Sequence, residues 1–421
     1  MTSSRVAKRA AWGVADQMLS SATNFALGVF VARSSTPTEF GVYGLIFATY
    51  LIALNVARPL SMEPLQIRFT GAASQTWASA VRGAAGTVVV VGAVIGAACV
   101  AAGFLVGGFA GNALVILGLG LPGLLLQDAW RLAFFGRGDD RAALLNDLVW
   151  AGLLFPIIAV LLVGGRDTPL ALVAAWEVAA LVAAIVGIRQ MGIAPRPAAA
   201  RSWLREQRDL GRPLLVDRMA TNGVAELAPY AIGAIAGLEA VGALRAAQLL
   251  FGPFSVIFQG LSLISLPEAV RLAEHPRGRL LPAAIVFTAG LVVLAIATGL
   301  FLLLLPDSVG EALLGQSWPG AEAILLPYTL VVAGSMFGAG PNVGLRALSA
   351  AVESMRVGIA RSVLLLTGSL VGATLGAAPG AALGMAAGQW IGNAISWLQF
   401  AITTNGAGTA PASRPSADPF G

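Results

Sequence analysis

Charge is scarce in this chain. Asp, Glu, Lys and Arg make up only 11% of its 421 residues, against roughly 25% in an ordinary soluble domain. Cysteine is rarer still: Cys99 stands alone, which excludes a disulfide within one chain. One cysteine and one histidine, His275, cannot build a typical zinc site or a His-based catalytic triad. His275 lies between Glu274 and Pro276 in a predicted loop, where a solvated side chain is the simpler reading than a ligand. Lys8 is the only lysine, so no P-loop lysine exists, and none of the 51 glycines opens a nucleotide-binding turn after a strand. These absences leave no cofactor and no metal to expect.

What the chain has instead is apolar length. Hydrophobic residues make up 57% of it, and apolar runs near twenty residues recur from end to end; a helix needs about that length to cross the hydrocarbon core of a bilayer. The predicted fold is therefore an all-α polytopic membrane protein with about twelve transmembrane helices. The candidate spans are about 12–33, 41–62, 84–107, 112–134, 143–164, 168–189, 213–236, 241–266, 282–305, 321–345, 357–377 and 380–401. Barrel strands are not expected, because no segment alternates apolar and polar over ten residues. Successive hydrophobic runs and the lack of an A-x-A site argue against a cleaved signal peptide.

Arginine is distributed unevenly between the predicted loops. Arg5, Lys8 and Arg9 precede the first span, Arg68 and Arg82 follow the second, and Arg137 and Arg141 follow the fourth. Arg189, Arg196, Arg201, Arg205, Arg208 and Arg212 follow the sixth, Arg271, Arg277 and Arg279 the eighth, and Arg346 and Arg356 the tenth. The opposite loops hold Arg33 and Arg166 and the acids Asp307, Glu311 and Glu322. The positive-inside rule then makes both termini cytoplasmic and the helix count even, as for a multi-pass protein of the plasma membrane. The net charge of +5 is explained by these loops, so nucleic acid need not be invoked.

The stretch from Trp12 to Arg68 has an echo. Asp16-Gln17-Met18, Gly41, Pro64 and Arg68 return in the same order as Asp217-Arg218-Met219, Gly242, Pro267 and Arg271, with an offset of 201 residues at the Asp and Gly positions. Two similar halves built around polar groups inside apolar helices are typical of secondary transporters. The expected organisation is a six-helix lobe over residues 1–190, a cytoplasmic linker over 191–212, a second six-helix lobe over 213–402 and an unstructured tail over 403–421. With six helices each, the halves share one orientation and should superpose without inversion. In the linker, Trp203 and Leu204 among Arg201, Arg205 and Arg208 suit a solvated connector or a short basic helix on an anionic leaflet.

Charged and polar side chains at membrane depth are costly, and they face a cavity, a partner or a neighbouring helix. In the first span Gln17, Ser21, Asn24 and Gly28 form one stripe, repeated in the seventh by Arg218, Asn222, Ala225 or Glu226, and Pro229. The second span brings Asn55 and Arg58, the eighth Arg245, Gln248 and Gln259, and the fourth Gln127, Asp128 and Arg131. The candidate cavity residues are Arg58, Arg218, Arg245, Gln17, Asn24, Asn55, Asn222 and Gln248. Asp128 and Arg131 read better as helix glue. Glu177, in the middle of the sixth span, is expected to titrate or to pair with an arginine from another helix; with Asp217 and Glu226 it is a candidate for ion coupling.

These residues resemble a family. Gln17, Asn24-Phe25, Ala32-Arg33, Thr38-Glu39-Phe40-Gly41-Val42-Tyr43, Pro64 and Arg68 are similar to the N-terminal signature of polysaccharide transporters. That group includes the O-antigen and teichoic-acid flippases of the multidrug/oligosaccharidyl-lipid/polysaccharide exporter superfamily. Gly242 to Gln248, Pro253 and Pro267 resemble that superfamily's eighth helix. Asn55, Arg58, Leu60 and Glu63 resemble the second helix of the murein lipid II flippase. The chain departs from that last pattern in having neither a fourteen-helix layout nor a paired arginine motif in its first helix. The resemblance implies flipping of an undecaprenyl-pyrophosphate-linked oligosaccharide between leaflets by alternating access. Its other implied partners are the bilayer and a polysaccharide polymerase or glycosyltransferases. No covalent step is needed, so an enzyme is not expected. The alternative is a multidrug and toxin extrusion-type, cation-coupled drug antiporter, which would recognise cations through carboxylates and aromatics. A membrane-embedded glycan ligase or polymerase would need larger outer loops, and a non-transporting scaffold in an assembly complex stays open.

Overall fold

A computed structural model describes residues 3–273 and 279–407. His275, Arg277 and the chain beyond residue 407 lie outside the described residues, as do the side chains of Arg5, Lys8, Arg9 and Gln259. The first half comprises α1 (Ser3–Arg33), α2 (Pro37–Leu60), α3 (Met62–Phe69), α4 (Ser74–Val106), α5 (Gly108–Arg137), α6 (Asp140–Val163) and α7 (Pro169–Met191). A linker containing α8 (Ala200–Glu206) leads to α9 (Arg208–Arg218), a π-helical turn (Met219–Gly223) and α10 (Val224–Ala236). Then follow α11 (Leu238–Leu250), α12 (Gly252–Ala273), α13 (Leu280–Leu303), α14 (Asp307–Leu314), α15 (Trp318–Glu322), α16 (Leu325–Phe337), α17 (Ala339–Ala347) and α18 (Ala351–Ala407). Among the described residues there is no strand.

The helix limits follow local chemistry. Thr36 and Glu39 form a reciprocal capping box at the start of α2, with Pro37 in its first turn. Thr168 caps α7 by accepting from Ala171 N, again ahead of a proline but without a reciprocal bond, and Gly192 ends the helix in the left-handed conformation.

All twelve predicted spans are helical. Seven helices among the described residues are long and apolar enough to cross a membrane unaided, and an eighth arises from α14–α17, bent by 87°. The long α18 contains two spans, because Gly376 and Ala377 leave the helical region and its halves fold back with Gly368 against Gly384 and Gly372 against Gly380. The remaining three are interrupted or polar. The seventh span is broken by the π-turn and the eighth at Phe251, while α1 carries Asp16, Gln17, Ser20, Ser21, Thr23 and Asn24.

The halves meet as equivalents. A Cβ on Gly41 would overlap the Leu238 carbonyl, and one on Gly242 would meet the Pro37 carbonyl, while the Thr38 hydroxyl donates to Glu239 Oε1 at 3.4 Å. Pro37 and Leu238, Thr38 and Glu239, and Gly41 and Gly242 are each 201 residues apart. Further along, Gly44 packs against Val241 and Arg245, so the contact advances in one direction along both helices. That pattern belongs to a pseudo-twofold axis running along α2 and α11, and so to two non-inverted repeats. Glycine is required here because only its absent side chain lets the two backbones approach so closely.

In the linker, α8 is a short helix with Arg201 and Arg205 exposed, and its indole packs against protein. Trp203 is buried, its ring centroid 5.8 Å from that of Phe69, and its Nε1 donates to Leu60 O at 3.0 Å. Arg68 holds Gln207 at 2.9 Å and pairs with Asp209. The indole is too apolar to leave in water when α3 and α4 offer a slot lined by Gly83, so the linker packs as part of the first half. The tail also corrects the expectation in part: residues 403–407 extend α18 rather than leaving it at Thr403.

Candidate functional site

A cavity of about 460 Å³ lies between the halves. Ser21, Asn24 and Phe25 of α1, Phe47 of α2, Arg245 and Gln248 of α11, Phe254 and Phe258 of α12, Tyr328 and Ser335 of α16, and Leu365 and Gln389 of α18 line it. Among the described residues of that lining Arg245 alone is charged. Its guanidinium lies 3.9 Å from the Phe47 ring centroid and 5.5 Å from that of Tyr43, a cation–π platform. Phe47 is itself stacked on Trp176 at 6.4 Å, so the platform is anchored on α7. Nη1 donates to Gln248 Oε1 at 2.8 Å, whereas the buried Nε has no hydrogen-bond partner among the described residues. Glu226 on α10 is close enough for its charge to reach Arg245, but the two form no ion pair. The arrangement is a fixed, partly unsatisfied cation over aromatic faces, with neutral hydrogen-bonding groups around it. Such a cavity suits an anion bearing hydroxyls.

A second polar centre sits in the first half, toward the end of the bundle where the linker lies. Arg131 Nε donates to Asp16 Oδ2 at 2.6 Å and lies 3.9 Å from Asp147 Oδ2, and its Nη2 donates to Gln17 Oε1 at 2.7 Å. Arg58 grips Asp128 with two bonds of 2.8 and 2.6 Å. Gln127 donates to Asp147 at 2.8 Å, and Asn146 donates to Ala183 O and Gln190 Oε1, both at 2.9 Å. Five helices, α1, α2, α5, α6 and α7, are joined in this way. The centre contains three carboxylates and two guanidiniums, and Asp16 Oδ1 and Asp147 Oδ2 are buried without a hydrogen-bond partner.

The structure separates the predicted site residues. Asn24, Arg245 and Gln248 line the cavity together. Arg58 and Arg218 do not: Arg58 is held by Asp128, and Arg218 Nη2 donates to Glu63 Oε1 at 2.5 Å across the two halves. The physical reason is that a guanidinium in an apolar bundle takes the nearest carboxylate, and Asp128 and Glu63 are within reach. Gln17 is spent on Arg131 and Ser21. Asn55 is half-buried on α2 and Asn222 exposed in the π-turn; neither lines the cavity. Asp217 is exposed, and Glu226 is half-buried beside the cavity. Asp128 and Arg131 join helices as expected, although each does so with a partner on another helix rather than with the other. Sequence reasoning missed Asp147 and the aromatic wall. The signal for the former was Asn146-Asp147 inside an apolar run, a polar pair that needs a partner at membrane depth.

Glu177 is 5% exposed and packs against Gly120, where a Cβ would overlap its carboxylate. Its Oε1 has no hydrogen-bond partner and no arginine pairs with it among the described residues, so of the two expected roles only titration stays open. Glu177→Gln preserves shape and removes the charge. It is expected to leave membrane levels and thermal stability unchanged and to flatten the pH profile of transport. An unchanged profile in reconstituted vesicles would assign Glu177 to packing alone.

No family model and no curated protein matches the sequence. Solved structures do resemble the fold. An inward-facing multidrug resistance MATE family transporter of the MOP superfamily superposes with a TM-score of 0.72 at 14% identity, covering 94% of this chain and 96% of that one. An outward-facing MATE family transporter gives 0.59 at 13% identity over 96% of both chains. The lipid II flippase MurJ, in an inward closed conformation, gives 0.69 at 11% identity over 93% of this chain and 86% of the flippase. The fold is thus the two-lobed, all-helical membrane-protein fold that these solved structures share, here with twelve helical spans.

Proposed function

We propose that this chain is a transporter that flips an anionic lipid-linked oligosaccharide from the inner to the outer leaflet by alternating access. The observation that carries the reading is the cavity lining, which among the described residues contains an arginine without an ion-pair partner and contains no carboxylate. A pyrophosphate-linked glycan fits it: Arg245 meets the phosphoryl oxygens, Asn24, Gln248 and Gln389 meet sugar hydroxyls, and the aromatic wall stacks on sugar rings. The lipid tail stays in the bilayer beside the halves. A fold shared with a lipid II flippase supports this reading, and the arginine-rich loops support cytoplasmic termini. Ion coupling is assigned to the Asp16–Arg131–Asp147 centre, where one further cation would balance three carboxylates against two guanidiniums.

The competing reading, a drug antiporter, is favoured by the aromatic wall and the nearby Glu226. Proteoliposomes separate the two. A fluorescent lipid-linked pyrophosphate oligosaccharide is expected to equilibrate between leaflets, and a lipophilic cationic dye is expected not to be exported. Dye export without flipping would overturn the proposal.

Passage through the end at which α2 meets α11 requires Gly41 and Gly242 to part. With Cys99 replaced by alanine, Thr38→Cys and Glu239→Cys are expected to cross-link under mild oxidation and to stop transport. Reduction should restore it. Full transport by the cross-linked protein would show that the two helices stay together throughout the cycle.

A further inference from the structure

The linker has two sides, and protein covers one of them. Ala200, Trp203, Gln207 and Gly211 recur at i, i+3, i+7 and i+11 and are buried, with Trp203 on Gly83 and Phe69, Gln207 on Arg68 and Gly211 on Pro59. Arg201, Arg205, Arg208 and Arg212 recur at i, i+4, i+7 and i+11, and all of them are exposed. The register holds across the junction of α8 and α9. There Gln207 N donates to Trp203 O at 2.9 Å and Gly211 N to Gln207 O at 2.7 Å, as in a continuous helix. Residues three and four apart on a helix have Cβ atoms about 5–6 Å from each other, so backbone geometry alone gathers these arginines on one face.

None of these arginines enters an ion pair among the described residues. The nearest acid in the wheel, Asp209, is taken by Arg68 of α3, and Glu206 and Asp217 stand at other positions around the helix. One turn beyond Arg212 on the same face, Val216 is 65% exposed. The face thus passes from guanidiniums to an apolar side chain as α9 enters the seventh span, the order in which a helix meets headgroups and then hydrocarbon. Positive charge at this end fixes topology without any register. Collecting it on one face, with the acids kept off, makes a surface complementary to a sheet of negative charge.

We propose that the face formed by Arg201, Arg205, Arg208 and Arg212 docks the linker on the anionic phospholipid headgroups of the leaflet at that end of the bundle. The contact is electrostatic rather than inserted, because the Trp203 ring that could anchor in the interface is held by Phe69 and Gly83 inside the protein. It also spans the two halves: α8 is packed on the first, and α9 runs through the π-turn into the second. An anionic leaflet therefore holds both sides of the junction at one depth. This docking is independent of the cargo assigned above.

The test uses the full chain in vesicles of equal parts phosphatidylglycerol and phosphatidylcholine, extracted gently, with retained lipid identified by native mass spectrometry. Wild type is expected to retain phosphatidylglycerol in preference to phosphatidylcholine. Replacing Arg201, Arg205, Arg208 and Arg212 together by glutamine should lower that preference about tenfold or more. High salt should do the same to the wild-type protein without any substitution. Lysine at the same positions should keep the preference, because a leaflet reads charge and not the guanidinium fork. Glutamine at four exposed arginines elsewhere on the first half, Arg82, Arg141, Arg189 and Arg196, should change it by about twofold or less. Equal loss in the two glutamine variants would reduce the effect to net charge and overturn the docking. So would unchanged phosphatidylglycerol retention in the first of them; a loss of inorganic pyrophosphate binding there would assign the face to a soluble anion instead.

Discussion

Arg245→Ala is expected to abolish flipping of an anionic lipid-linked oligosaccharide while the protein still reaches the membrane at wild-type levels. The side chain makes no ion pair that its removal would break, and its bond to Gln248 lies within one helix. What is lost is the one charge in the lining among the described residues, with a buried Nε that has no acceptor among them. Truncating one partner of a desolvated charge pair costs about 2–5 kcal/mol, a weakening of roughly 30- to 5,000-fold. Arg245→Lys should recover part of the activity, because an ammonium keeps the charge and the contact with Phe47 but not the fork. A drug antiporter predicts the reverse: removing a positive charge from the cavity should leave cation export intact or improve it. Flipping rates and surface levels measured side by side for the three forms decide between them. Wild-type flipping by Arg245→Ala would sink the assignment of the cavity.

Much of the fold was legible from physical constraints that act locally. Hydrocarbon thickness sets helix length, so twelve apolar runs became twelve helical spans. Asp16 and Asp217, and Gly41 and Gly242, announced a repeat, and the structure adds that Gly41 and Gly242 face each other on its axis. Pairing was not legible. Arg58 and Asp128 are 70 residues apart in the chain, and Arg131 and Asp16 are 115 apart. Composition shows that charges of both signs enter the bilayer, but not which guanidinium finds which carboxylate. Arg58 and Arg245 looked alike in sequence, each an arginine within an apolar helix. One has Asp128 in reach and the other has Phe47 and Tyr43, a difference made by neighbours from other helices. The linker misled for a related reason: Trp203 among arginines reads as interfacial until Gly83 and Phe69 provide a slot for the ring.

Arg131→Met is expected to be the most destabilising single change in the first half. Among the described residues Arg131 is the one cation that pairs with Asp16, which is fully buried, and it lies 3.9 Å from Asp147, which is 1% exposed. Taking the guanidinium away leaves two carboxylates in a low-dielectric interior, and it releases Gln17 on α1 as well. Breaking a buried pair by removing one partner costs about 3–5 kcal/mol, because the remaining charge is stranded. That is a large share of the roughly 5–15 kcal/mol by which folded domains are stable. The expected result is a sharp fall in membrane level and in the midpoint of thermal unfolding in detergent. The double variant Arg131→Met with Asp16→Leu should recover the part of the loss that comes from Asp16, since an apolar pair of similar volume often replaces a buried ion pair at little cost, while Asp147 keeps only its bond from Gln127. Its recovery separates two roles of the centre. A centre that only holds α1 against α5 would give a double variant that folds and transports normally. A centre that also couples transport to a cation gives one that folds but loses the dependence of transport on pH or on the sodium gradient. Arg58→Met serves as the internal comparison: it strands Asp128 alone and leaves the Asp16–Arg131 bond standing, so its loss should be smaller and should add to that of Asp16→Leu only in part, the two pairs sharing α5. Normal stability in Arg131→Met, measured as both membrane level and unfolding midpoint, would mean that the two carboxylates are neutralised in some other way and that the centre does not hold the first half together.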